Sequence, residues 1–331
     1  MSTEYYKYIQ NKLNNNKIII LDGAMGSELE SRGARMDKAG WCAPASITHS
    51  KILENIHKDY IEAGADIITT NTFSSARHVL EYSSFKDQTV AINEKAMECA
   101  LAARNQHPDK KIAIAGSLSL SLVADIVDGI NAVNPNDPVE FRNTMKAEEQ
   151  KNSFGFKYFD SNKILKNFEE QISIFKKYNI DLIILEMMIN PSICKPAIDA
   201  ALASGLPVWF GLSCGDKSSD GDLLAFEASK MKFSETLTMI NNNFDAVLLM
   251  HSETKNITKG LEEIKENWNG HLGAYPHKGY YTRPNWHHDS MYTPEIYLKD
   301  MKNWVDQGVK IAGSCCGMGP EYTSALKKHF C

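Results

Sequence analysis

Cys315 and Cys316 stand side by side in "KIAGSCCGMGP" (310–320), flanked by Gly313 and Gly317. Neighbouring residues of a strand point to opposite faces, so these thiols can aim at one atom only where the chain has left the extended conformation, a bend that glycines permit. Two thiolates from one turn are half of a tetrahedral zinc shell. A catalytic zinc takes three protein ligands and leaves the fourth position open. His251, in "DAVLLMHS" (245–252), and Cys214, in "PVWFGLSC" (207–214), each sit at the end of an apolar run, and imidazole and thiolate are both suitable third ligands. The same glycines could instead cradle a substrate phosphate, a use that has no need of the thiols. Asp22 and Glu186 also close apolar runs. They read either as a helix cap and a solvated carboxylate or, because a carboxylate in an enclosed mouth is costly unless paired, as the groups that hold a substrate ammonium.

These residues gain meaning from the elements that carry them. Eight short β-rich runs recur: 17–23, 66–73, 112–117, 181–188, 207–214, 245–252, 271–279 and 309–317. Between them lie amphipathic helical segments at 50–64, 88–106, 161–179 and 293–308, several of which end in glycine, the favoured residue just past a helix C-terminus. Strand and helix in alternation predict βα units around a parallel sheet, and eight strands are the number that closes a barrel. The expected fold is therefore a single-domain (β/α)8 TIM barrel over residues 1–331, with a doubly wound open sheet as the alternative. Such barrels build their sites at the C-terminal strand ends, where Asp22, Thr72, Phe73, Glu186, Cys214, His251, His277, Cys315 and Cys316 all fall. A long polar connection at 129–160, containing Pro135 and Pro138, interrupts the regular pattern; as a lid, a subunit contact or a solvated insertion, it leaves a homo-oligomer open.

Composition narrows the chemistry. The chain has 331 residues, 43% hydrophobic and 23% charged, with a formal charge of −5 and no dense Lys/Arg run. That profile argues for a small-molecule protein and against nucleic acid or an anionic membrane surface as partners. The N-terminal stretch is polar and no apolar run reaches membrane-spanning length, so a cytoplasmic protein is expected. Seven scattered cysteines do not form a disulfide pattern, and reduced thiols placed side by side suggest metal or catalysis.

Taken together, "LDGAMGSELESRG" (21–33), "AGADIITTNTF" (63–73), "DLIILEMM" (181–188), "GAYPHKG" (273–279) and "GVKIAGSCCGMGPEYTSAL" (308–326) resemble, in order and spacing, the zinc-dependent homocysteine S-methyltransferase family. The resemblance covers nearly the whole chain. It implies a Zn2+ cofactor that stabilises the substrate thiolate, and methyl transfer to homocysteine from a small sulfonium or quaternary ammonium donor, giving methionine. It assigns Cys315 and Cys316 as zinc ligands, Asp22, Gly23 and Glu186 as contacts to the amino-acid end of homocysteine, and Thr72 and Phe73 as walls of that pocket.

Two segments depart from the family pattern. Relatives usually end the sixth strand in Asn-Cys, where this chain has Met250-His251, so His251 becomes the implied third ligand. The run "GSLSLSLVADIVDG" (116–129) lacks the Gly-Pro-Tyr-Gly type of segment found in many relatives, which leaves the donor open. Tyr280, Tyr281 and Trp286 are candidates to surround a cationic methyl by cation–π attraction, and His277, His287 and His288 read as polar loop surface. The competing functions are a barrel lyase or aldolase with a phosphate-binding eighth loop, for which no Schiff-base lysine is evident at a strand end, and a non-catalytic zinc-thiolate protein.

Overall fold

A computed structural model describes residues 3–120, 160–226, 231–282 and 284–331. The connection expected at 129–160 lies outside the described residues, save Asp160.

Eight parallel strands form one sheet: β1 (Ile19–Ile20), β2 (Ile67–Thr69), β3 (Ala113–Ser119), β4 (Leu182–Glu186), β5 (Val208–Leu212), β8 (Ala246–Glu253), β9 (His271–His277) and β12 (Val309–Ala312). Their order, β1-β12-β9-β8-β5-β4-β3-β2, runs around a ring, and a parallel bridge from Leu21 to Ile67 joins its two ends. Hydrogen bonds from Asp22 N to Ile67 O (3.0 Å) and from Asp66 N to Ile20 O (2.7 Å) complete the closure, so the sheet is a barrel and not the open alternative. All eight expected strands are present. The four helices read from the sequence also form, as Ser50–Ala63, Thr89–Asn105, Ser161–Lys177 and Pro294–Asp306.

Two antiparallel hairpins on the rim were not foreseen. β6 (Cys214–Lys217) pairs with β7 (Leu223–Ala225), and β10 (Tyr280–Thr282) with β11 (Asn285–His287). Each is too short to show a period in the sequence.

Alternation along the strands divides the core in two. Ile19, Ile67, Ala115, Ile184, Trp209, Leu248, Tyr275 and Ile311 fill the barrel interior, while the opposite faces pack against the helices. The helix Glu4–Asn14 seals the interior from the N-terminal side of the strands with Tyr6, Ile9 and Leu13. The Tyr6 hydroxyl accepts from Trp209 Nε1 (3.0 Å) and donates to Asp245 Oδ2 (2.7 Å), which satisfies the indole N–H at the floor of the barrel. One end of the barrel is thereby closed, and the C-terminal mouth remains for function.

Candidate active site

Strand β12 stops at Ala312, and Cys315 and Cys316 occupy the turn that follows. Gly317 has φ +81°, and a Cβ there would strike Lys278 O and come within 2.9 Å of Trp286 Nε1. Only glycine gives the bend this geometry, and the two thiols consequently share a side, with their sulfurs 3.9 Å apart. The turn is pinned to its surroundings: Cys315 N donates to Pro276 O (2.8 Å), Gly317 N to Ser27 Oγ (2.8 Å) and Lys278 N to Cys316 O (3.1 Å). Gly313, expected to help the bend, has no left-handed φ; a Cβ there would lie 2.7 Å from Leu21 Cβ, so its role is close packing against β1.

His251 reaches the thiols by a different device. Met250 points into the barrel, so simple alternation would turn His251 outward toward the helices. Instead the strand bulges, with a register shift between Met250 and Glu253 and φ +41° at His251, and the imidazole swings into the mouth. Its Nδ1 lies 3.3 Å from Cys315 Sγ, and ligand atoms of His251, Cys315 and Cys316 all fall within 4.8 Å of one another. Tetrahedral zinc with bonds of about 2.3 Å to sulfur and 2.0 Å to nitrogen requires donor separations of roughly 3.5–3.8 Å, so this set fits the ion. Cys214 is not part of the cluster. It lies buried in β6, and a Cβ on Gly260 would sit 3.4 Å from its sulfur, which places the thiol against the helix Thr254–Lys265.

The protonation states suit a set of metal ligands. Its contact with Cys315, then burial, holds the Cys316 thiol well above its ordinary range, so two thiolates need a nearby cation to exist together. Burial, reinforced by His277, pushes His251 well below the usual histidine value and keeps a neutral lone pair available.

Two buried carboxylates occupy the same mouth. Asp22 accepts from Thr69 N (2.6 Å) and Thr69 Oγ1 (2.9 Å), and caps no helix. Glu186 accepts from Ser117 Oγ (2.8 Å) and from the Tyr275 hydroxyl (3.3 Å), and is not a solvated strand end. Burial raises Asp22 to about 8 against the Thr69 bonds, with the charge of Glu186 adding to the effect; burial raises Glu186 to about 7. Neither has a cationic side-chain partner among these bonds, and an arriving ammonium would favour the ionised form of both. Gly23 lets the chain pass close to the cysteine turn, since a Cβ would lie 2.5 Å from Ser314 Oγ and 2.7 Å from Met318 O. Thr72 is fully buried and donates to Ser117 O (2.8 Å), so it supports the strand holding Ser117 and does not present its hydroxyl to the pocket.

Aromatic rings wall the mouth. Trp41 meets Phe73 and Tyr281 edge-on at 6.4 and 5.8 Å, and Tyr281 lies 6.4 Å from Trp286. Trp286 in turn stands 5.8 Å from His251 and 5.5 Å from His277, and Phe226, next to β7, closes the far side at 5.2 Å from His251. Tyr280 is exposed and stacks on His287 away from this group. Trp41 and Phe226 carried no sequence signal, because both sit in irregular chain and meet the site only through the fold. His277 corrects an expectation: it is buried, 6% exposed, with its ring centroid 4.5 Å from that of His251, whereas His287 and His288 do lie on the surface. The sequence placed His277 at the end of the seventh strand but did not show that it turns inward and is buried there.

Comparison with known proteins places this arrangement in context. The chain is 24% identical over 343 residues to a Bos taurus betaine–homocysteine S-methyltransferase 1, covering 97% of this chain and 74% of that protein. It is 23% identical over 332 residues to an Arabidopsis thaliana homocysteine S-methyltransferase 2, covering 93% and 92%. The metallated form of the Escherichia coli homocysteine methyltransferase MmuM shares the fold, with a TM-score of 0.70 at 19% identity over 97% of this chain and 99% of that one. The family model described as homocysteine S-methyltransferase matches residues 19–330, nearly the full length, and the chain belongs to that family.

Proposed function

We propose that the protein transfers a methyl group from a small cationic donor to the thiol of homocysteine, giving methionine, with Zn2+ held by His251, Cys315 and Cys316. The observation that carries this reading is the meeting, in one barrel mouth, of a soft-donor triad with two buried carboxylates whose hydrogen bonds, among the described residues, come from no cation. Bound at the triad, zinc supplies the charge that keeps a sulfur in its thiolate form near neutral pH. Asp22 and Glu186 hold the substrate ammonium, and Ser117, Thr69 and Tyr275 fix the two carboxylates in place. Gly23 keeps the strand close to the cysteine turn, while Thr72 and Phe73 shape the pocket wall.

The π faces of Trp41, Tyr281 and Trp286, grouped at the mouth, suit a sulfonium or quaternary ammonium group. In the transfer the sulfur lone pair forms the new S–CH3 bond. The donor's bond to that methyl breaks with its electron pair, and the donor leaves neutral at the charged atom.

The deciding experiment is metal analysis of the purified protein, joined to methionine formation from homocysteine with sulfonium and quaternary ammonium donors tested separately. Stoichiometric zinc and chelator-sensitive turnover with one donor class are expected. Turnover that is indifferent to a strong chelator would remove zinc from the reading, and failure with every cationic donor would remove the donor class.

A further inference from the structure

Trp41 stands at the rim of the mouth in a backbone conformation that a tryptophan rarely adopts. It is the second residue of the turn Gly40–Ala43, closed by a hydrogen bond from Ala43 N to Gly40 O (2.9 Å), and its φ is +46°, a value that glycine or asparagine normally supplies at that position. Its ring lies against Gly26, where a Cβ would come within 2.3 Å of it. The buried indole N–H has no partner among the described residues, so the ring does not anchor the turn; the carbonyls on either side of Trp41 do. Gly40 O accepts from Ser74 Oγ (2.6 Å), and Cys42 O accepts from Asn71 Nδ2 (2.9 Å). These two rungs join the turn to the segment that follows β2, and between them on that segment stands Phe73, whose ring meets that of Trp41 edge-on. Asn71 is the fuller anchor. It is buried, its amide also donates to Ser46 Oγ (3.1 Å), and its Oδ1 accepts from the Cys42 thiol (3.1 Å), which burial pushes up to about 12 and so keeps protonated. Among the described residues the Asn71 side chain therefore bonds only to the Trp41 turn and to the short helix Ala45–Thr48 that continues it.

We infer that Asn71 is a positioning residue that holds Trp41 in its left-handed turn, and that it thereby sets affinity for the cationic methyl donor without touching it. The second half rests on the donor reading above; the first stands on the hydrogen bonds alone. A primary amide supplies N–H donors and an acceptor from one planar group, and here one turn and its continuation take both. Aspartate has the same shape but no N–H, so it would set an oxygen against Cys42 O and leave that buried carbonyl unpaired. With the rung gone the turn is free to relax to a negative φ, which carries the ring off Gly26 and away from Phe73 and Tyr281. The donor would then lose an aromatic partner, while homocysteine, held at Asp22 and Glu186, would not.

The chain has five tryptophans, so fluorine NMR of protein labelled with fluorotryptophan assigns the Trp41 line as the one missing from W41F. N71D should shift and broaden that line while the line of Trp209, at the floor of the barrel, stays in place. N71S, too short to reach Cys42 O, gives the same reading if N71D does not fold. A Trp41 line unmoved in the folded variant would overturn the hold of Asn71 on the turn. On the zinc-loaded protein, N71D should raise KM for the donor by about tenfold, the size of one lost cation–π contact, with KM for homocysteine unchanged. In a W41A background the same substitution should add nothing, because the two residues act as one unit. Equal factors in both backgrounds, or an equal rise in both KM values, would overturn the role of Asn71 in donor binding. Wild-type protein that turns over with no cationic donor would overturn the proposed function and the donor half of this inference together, and the fluorine spectrum would still decide whether Asn71 holds Trp41.

Discussion

In the proposed zinc site His251 brings an imidazole where a third thiolate would add negative charge. With one negative charge fewer, an ion bound there would be a stronger Lewis acid and would hold the substrate sulfur more tightly, lowering the reactivity of that sulfur. H251A should sharply lower zinc content, whereas C214S should leave it unchanged, since the Cys214 thiol faces a helix. Metal analysis of the two variants checks this, and the reverse pattern would show that Cys214 is the ligand. Removing the charge of either carboxylate should weaken homocysteine binding by about 2 kcal/mol or more, roughly thirtyfold, as expected when one member of a buried charge pair is lost. Isothermal titration with E186Q or D22N measures it. Because burial lifts Glu186 to about 7 and Asp22 to about 8, both are partly protonated in the free protein at neutral pH. An ammonium ligand prefers them ionised, so affinity should rise between pH 6 and 8 and the binding should release protons to the buffer; a flat profile in wild type would contradict that role.

Among the elements, the turn after β12 and the bulge in β8 do most to define the site. Each takes a strand that would spread its side chains over two faces and makes them converge. G317A meets both a left-handed φ, costing about 1–2 kcal/mol for a residue with a Cβ, and a collision with Lys278 O. It should therefore lose zinc while retaining the helical circular dichroism of the parent, a result that separates damage to the turn from unfolding. The hairpin of β10 and β11 brings Trp286 over the mouth and is anchored by a hydrogen bond from Trp286 N to Glu30 Oε2 (2.9 Å). W286A should raise KM for a cationic donor by an amount equivalent to about 1–2 kcal/mol of cation–π attraction, with a smaller effect on KM for homocysteine. Steady-state kinetics with each substrate varied in turn tests the division of roles.

For the molecule as a whole, the same buried groups set how stability depends on pH. His57, His78 and His277 are held by burial near 3, 3 and 4, below the ordinary histidine value of 6.5. The unfolded chain therefore binds more protons than the folded one as pH falls below 6.5, and stability declines on that side. Asp22 and Glu186 act in the opposite sense. Their folded values exceed the ordinary values of 3.8 and 4.5, so the folded chain binds more protons above pH 4 and loses stability as pH rises toward 8. The metal-free protein should be most stable near pH 6–7, and D22N should be more stable than wild type at pH 8 despite its weaker binding. Urea titrations across this range would show it. At the opposite end of the barrel, Y6F would leave Trp209 Nε1 and Asp245 without their shared partner, at a cost of about 1–3 kcal/mol and with the active site untouched.

The sequence by itself determined the order of strands and helices, because alternating apolar runs and glycine stops are local properties of the chain. It also marked Asp22, Glu186, His251, Cys315 and Cys316, each at the end of a strand whose sister strands form the same rim. What lay beyond it were the choices made between distant segments. Whether His251 or Cys214 joins the cysteines depends on a bulge of β8, and a bulge has no periodic signature to read. His277 resembled loop surface until β9 was seen running between β8 and β12, which buries it beside His251. The same holds for Trp41 and Phe226, which come from two irregular connections and meet Trp286, already a candidate in the sequence, only through barrel closure. Local pattern fixes where a strand ends; the direction in which its last side chains point follows from the packing of the strands on either side.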